Sequence, residues 1–292
     1  MLPILPGLIT SGDFMREYMS VIEDCGVESV WGAEHVAVIE GHDPEYPYNA
    51  DGRLGDQFPT RPMPSALELL AFVAGISQHV KLGTAVMIAP LHSPAVLAKR
   101  VATVDTLSGG RVVLGLGIGW QREEYEAVGV PFRDRGERLE ECVLAMRALW
   151  TDSPATFRGT HTSFEKVFSH PQPERGSVPI LLGGNSAAVI DRVGRIGDGW
   201  LPYTIGPDEV AASVARMRDV ATRAGRDPDA LDITAWPGSH DPTSEHDVAY
   251  VRHYVEAGAR RIILWPSITT PDGLPALRAQ LERYTEQVIG RL

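Results

Sequence analysis

The side chains best placed to do chemistry in this chain stand where apolar runs end. His35 closes VESVWGAEH, and an imidazole there can donate to a substrate or shuttle a proton. It can equally be a hydrogen-bonded strand-end histidine with no chemical duty. Glu34 alternates with it and points elsewhere on an extended backbone. His92 lies nearer a loop and reads as structural. Three other apolar runs end in small residues: LGTAVMIAP at Gly83, Thr84 and Ala85, VVLGLGIGW at Gly117 and Gly119, and PILLGGNS at Gly183, Gly184, Asn185 and Ser186. Small residues let a flat ring approach the backbone, although alternate glycines also make room for neighbours inside a barrel. The helix that opens at Ser186 offers free N–H groups and a positive dipole end to a phosphate, or simply a capped start.

Several chemistries are excluded. A dinucleotide turn needs G-x-G-x-x-G, and here the third glycine comes one residue early with Trp120 in its place. No Gly-Lys-Ser/Thr exists for a P-loop. Lys81 begins its strand, and the His, Asp and Glu residues lack ligand spacing, so neither a lysine-based lyase nor a metal site is expected. A net charge of −11 without any basic block argues against nucleic acid. No run approaches the roughly 20 apolar residues of a membrane span, and the N-terminal MLPILPGLITSGD lacks a signal peptide's basic start, so the expectation is a cytoplasmic protein. Cys25 and Cys142 fall on apolar helical positions and read as buried thiols.

The elements that must position these residues alternate along the chain. Helical periodicity appears at Phe14–Cys25, Ala66–Ala74, Val96–Leu107, Leu139–Leu149, from Ser186, at Val210–Val220, from Ser244, and in a last helix ending near Ile289. Between them lie the apolar segments VESVWGAEH, VKLGTAVMIAP, RVVLGLGIG, PILLGG, DGWLPY, LDITAW and RRIILWP; with Leu2–Ile9 they make eight strand candidates. Continuous rather than alternating apolar residues mark strands buried on both faces. Eight βα units predict an α/β protein of the closed (β/α)8, or TIM barrel, type in a single domain over residues 1–292, since no composition break divides the chain. The 41–63 loop, carrying Tyr46, Tyr48 and Phe58, is long enough to act as a lid. Residues 151–178 read as irregular.

The segments SVWGAEHV, VKLGTAVMIAPLHSPAVLAKRVATVDTLSGGRVVLGLGIGWQREEYEAVGVPFRDRGERLEE, PILLGGNS and GDGWLPY, in this order, resemble the luciferase-like superfamily, and within it the coenzyme F420-dependent oxidoreductases. The resemblance implies a (β/α)8 barrel with an insertion in its second half and a deazaflavin or flavin across its C-terminal mouth. It implies a non-proline cis peptide at Ala85–Val86, in a bulge backing the ring beside Thr84, and a cofactor tail running from Gly117 and Gly119 to Gly183, Gly184, Asn185 and Ser186. His35 matches a histidine near the reactive face. The implied activity is hydride transfer between F420 and a small organic substrate; an FMN-dependent monooxygenase and a non-catalytic flavin-binding protein are the alternatives. Homodimers are common in the family. The chain departs from the F420-dependent sugar-phosphate dehydrogenases at Trp120, where they carry a catalytic glutamate; Glu123 and Glu124, a turn further on, read as a solvated helix start. Pro3 and Pro6 also interrupt the expected first strand.

Overall fold

Ser11 opens the first helix by accepting the Phe14 N–H on its hydroxyl (3.3 Å), and Phe14, Met15, Tyr18, Met19 and Ile22 form its buried stripe. In the computed structural model, which describes residues 1–55, 58–238 and 247–292, the same alternation of strand and helix continues to the C-terminus. The order is α1 (Gly12–Asp24), β1 (Ser29–Gly32), α2 (Ala66–Ile76), β2 (Lys81–Thr84), β3 (Met87–Ile88), α3 (Pro94–Leu107), β4 (Val112–Gly117), α4 (Arg122–Ala127) and α5 (Arg135–Thr151). It continues with β5 (Ala155–Arg158), β6 (Ser163–Val167), β7 (Ile180–Gly183), α6 (Ala187–Ile196), β8 (Gly199–Leu201), α7 (Pro207–Arg223), β9 (Asp232–Ala235), α8 (Val248–Glu256), β10 (Arg261–Ile262) and α9 (Leu274–Gln287). The start near Ser244 expected for α8 lies outside the described residues.

The contacts gather into two compact bodies, a division that no shift in composition announces. One comprises Met1–Trp31, Ile76–Lys81 and Ile180–Leu292; the other comprises Gly32–Gly75 and Leu82–Pro179. In the first body β7, β8, β9 and β10 pair in parallel, with Leu182 opposite Trp200, Trp200 opposite Ile233, and Arg261 opposite Thr234. Trp200 is fully buried, and its indole N–H is satisfied by the Gly184 carbonyl at 2.8 Å. An aromatic side chain of this size, once its one polar atom is paired, contributes several kcal/mol of apolar burial, at ~25 cal/mol per Å² over roughly 150–250 Å².

Residues 2–9 of this body are not a strand. Pro3 and Pro6 have no N–H to offer a ladder, and the segment turns instead from Leu5 through Thr10. It is nevertheless held: the Leu2 N–H donates to the Trp31 carbonyl (2.9 Å), the N-terminal ammonium donates to the Leu264 carbonyl (2.8 Å), and Leu2, Ile4 and Leu8 are buried.

In the second body β2 and β3 both run parallel to β4, pairing Leu82 with Val112, Met87 with Leu116, and Ile88 with Gly117. The apolar run VKLGTAVMIAP is therefore two short strands separated by a break at Ala85–Val86. Helices α3 and α5 pack together, and the buried Trp150 donates its indole N–H to the Ala98 carbonyl at 3.0 Å. The stretch 151–178, read from sequence as irregular, contains the antiparallel hairpin β5–β6, with Phe157 paired to Phe164. No helix among the described residues is long and apolar enough to cross a membrane.

Candidate functional site

The end of β1 carries two consecutive polar side chains into different surroundings, as extended backbone requires. Glu34 is buried; its Oε2 accepts the Ile88 N–H at 3.2 Å and lies 2.8 Å from His92 Nε2. His35 turns the other way, its Nδ1 2.8 Å from Glu124 Oε2. The remaining oxygen of Glu124 accepts the backbone N–H groups of Val36 (2.6 Å) and Ala37 (3.2 Å). Glu124 is 0% exposed, so the expectation of a solvated helix start is corrected at this residue. A carboxylate only accepts, so this arrangement makes Nδ1 the donor and leaves Nε2 as the free nitrogen of His35.

Short helix α4 presents Glu124. Tyr125, next to it, is fully buried and donates its hydroxyl to the Ile118 carbonyl, which ties α4 to the end of β4; burial pushes its phenol pKa up. Glu123, by contrast, faces the long loop and accepts the Asp43 N–H at 2.7 Å. Burial opposes ionisation of Glu123, but that N–H and the helix start together hold its carboxyl below the ordinary range.

The peptide bond between Ala85 and Val86 is cis, as the resemblance implied. The Ala85 N–H donates to the Gly32 carbonyl at 2.7 Å, which sets this bulge beside the end of β1. Gly117 and Gly119 are explained by the same bulge. A Cβ on Gly117 would lie 2.6 Å from Val86 Cγ2, and one on Gly119 would lie 2.9 Å from Ile88 Cγ2. The glycines thus make room for Val86 and Ile88, and Val86 remains partly exposed. Thr84 is fully buried, and its hydroxyl donates to the Gly115 carbonyl (2.7 Å) and accepts the Gly115 N–H (2.9 Å).

In the other body, Gly183 ends β7, and Gly184 carries a positive φ of 117° before α6. Asn185 spends its side-chain amide on the Tyr203 backbone, donating at 2.6 Å and accepting at 3.2 Å. Ser186 caps α6 by accepting the Val189 N–H.

Aromatic rings surround His35. Trp120 lies edge-on at 6.2 Å and Phe58 at 5.7 Å between centroids, while His42 and Tyr46 approach Trp120 at 4.8 and 5.1 Å. Trp120 and Glu123 therefore hold the 41–63 loop, of which all but residues 56 and 57 is described. Among the described residues no group of three His, Cys, Asp or Glu side chains is set to hold a metal.

The family model for luciferase-like monooxygenases matches residues 7–285. The chain belongs to that family. A protein of Mycobacterium tuberculosis is 29% identical to it over 290 residues, covering 97% of each chain. An F420-dependent glucose-6-phosphate dehydrogenase of Kineococcus radiotolerans is 33% identical over 194 residues, covering 64% of this chain and 51% of that enzyme. The solved coenzyme F420-dependent tetrahydromethanopterin reductase of Methanopyrus kandleri superposes with a TM-score of 0.73 at 16% identity, over 97% of this chain and 96% of its own. That likeness shows the fold, the α/β barrel of luciferase-like proteins.

Sequence reasoning singled out His35, the bulge and the glycines; it named Glu124 and Trp120 without joining either to His35. A signal for Glu124 was present: it stands one turn before Val128, which closes α4, and next to Tyr125, the buried aromatic of that short helix.

Proposed function

We propose that this protein is an F420-dependent oxidoreductase acting on a small, uncharged organic substrate, with His35 as its proton-handling group. The observation that carries this is the fully buried Glu124, which holds His35 Nδ1 at 2.8 Å and leaves the opposite nitrogen free. A buried carboxylate spent on orienting one imidazole is the arrangement a proton shuttle needs.

The residues present suit a flat ring. Gly117 lets Val86 sit down onto β4, so an apolar bulge stands at the strand end with one side still exposed. Ala85 and Val86 would back the ring, propped by Thr84, Gly117 and Gly119. Gly183, Gly184, Asn185 and Ser186 would hold an anionic group, a reading supported by their place at the start of α6. When bound, F420 supplies a carrier for one hydride. His35 takes the proton that leaves the substrate's oxygen as its carbon gives up hydride, or returns that proton in the reverse direction. Trp120 and Phe58 beside His35 shield the proton's path from water and favour an apolar substrate. The F420 assignment is supported by the F420-dependent relative from Kineococcus; its sugar-phosphate substrate is not carried over, because the surroundings of His35 are aromatic and Trp120 stands where the sugar-phosphate enzymes carry their glutamate.

The test is equilibrium binding of the purified protein to F420 and to FMN side by side, followed by turnover with a panel of apolar alcohols and ketones. F420 should bind in preference, and His35→Asn should keep binding while losing turnover. Clear preference for FMN would overturn the cofactor, and full turnover in His35→Asn would overturn the role of the histidine.

A further inference from the structure

Apart from the surroundings of His35, the second body contains a cavity of about 470 Å³. The turn leading into α3, the first half of α5 and the tip of the β5–β6 hairpin build its wall. Its polar lining consists of His92, Ser93, Arg138, His161, Thr162 and Ser163, without a single Asp or Glu. Three carboxylates stand behind that lining: Glu34 against His92, Glu137 against the His161 ring, and Glu141 against the His161 and Thr162 N–H groups.

Arg138 is the centre of the argument. Its Nε is buried without a hydrogen-bond partner, and the side chain makes no ion pair among the described residues. Buried donors are nearly always paired, so this guanidinium presents an unmet demand for an acceptor. Other donors stand around the same space. Ser93 precedes α3 without spending its hydroxyl on the helix; Pro94 has no N–H, and Ala95, whose N–H is the first of this 14-residue helix, lines the cavity. His92 is engaged through Nε2 by Glu34, which leaves Nδ1 to the cavity side. The His161 ring has one long contact, 3.4 Å, to Glu137, while its backbone N–H donates to Glu141 at 2.8 Å. The 89–91 turn, Val130 and Phe164 supply apolar wall between these groups.

We propose that this cavity is a second ligand site, which binds a small organic anion through Arg138 and the start of α3, with His92 and His161 beside its head group and the apolar wall against its body. The chemistry named is a carboxylate or phosphate ester of modest size, since a guanidinium fork and helix N–H groups suit either. The proposal is independent of the reading of His35, and it is tested with no redox cofactor present.

The experiment follows the histidine ring signals by NMR while the protein is titrated with benzoate, and separately with inorganic phosphate, at constant ionic strength in chloride. His161→Ala assigns the His161 signal. The His92 and His161 signals should move with at least one anion while exposed His79 stays still; whichever anion acts identifies the head group. Arg138→Gln should weaken that binding by about tenfold or more, and Arg138→Lys should keep part of it, as loss of one charge-assisted contact implies. Neither ring moving with either anion up to about 10 mM, roughly ten times the Kd of a 1 mM site, would overturn the proposal. So would unchanged affinity in a folded Arg138→Gln protein. Should that variant fail to fold, the ring titration of the unaltered protein still decides.

Discussion

Replacing Glu124 by Gln keeps the shape of the side chain and changes what it can accept. In the native arrangement one carboxylate oxygen takes the Val36 and Ala37 N–H groups and the other takes the His35 ring. The amide oxygen of glutamine can keep the two backbone donors, but its NH₂ then faces Nδ1. Nδ1 must become an acceptor, and the ring proton moves to Nε2. One charge-assisted contact is lost at the cost of ~1.5–3 kcal/mol, which at roughly 2–4 °C per kcal/mol lowers Tm by several degrees without unfolding the chain. The larger effect is on turnover: with the proton on the wrong nitrogen, general acid–base assistance worth roughly 10²–10⁴-fold disappears. Glu124→Ala leaves all three donors without their acceptor and should lower Tm further than Glu124→Gln. The assay combines ring ¹⁵N shifts of His35, calorimetric Tm, cofactor binding and turnover. Cofactor affinity should change little, because Glu124 is buried behind His35. If Glu124→Gln retains native turnover with Nδ1 still protonated, the orienting role of Glu124 is refuted.

Gly117→Ala should push Val86 out of place, since the new Cβ would stand 2.6 Å from Val86 Cγ2; ring binding falls, and the double variant with Val86→Ala recovers it, as fluorescence titration would show. Trp120→Ala removes the ring contacts of His42 and Tyr46 and should release the 41–55 segment, read as faster limited proteolysis there with little change elsewhere. The Cys142 thiol, pushed up to about 12 by burial, should resist iodoacetamide at pH 8 in the folded protein and react on unfolding. Glu28 is held at about 2, chiefly by its hydrogen bond from Arg261 and against the opposing effect of burial, with Lys81 assisting. Its folded pKa lies below the unfolded value near 4.5, so its contribution is complete above that pH and is lost as pH falls towards 2. Glu28→Gln should flatten the acid limb of a Tm–pH curve, by less than ~1 kcal/mol because the side chain is half exposed.

The place of the bulge came from the family resemblance, whereas the sequence by itself determined the alternation of strand and helix and the strand end that carries His35. These are local matters: apolar runs, caps such as Ser11 and Ser186, and glycine positions declare themselves within a few residues. The prolines at positions 3 and 6 already spoke against a first strand, and the fold honours them. Tertiary structure alone decided that Glu124, 89 residues beyond His35, is its partner, and that Trp120 gathers the long loop. It also decided the purpose of Gly117: the missing side chain is room for Val86, a fact of packing between two strands. Burial settles such roles, because a carboxylate in water and a carboxylate clamped by three donors have the same letter in the sequence, and only the surrounding chain tells them apart.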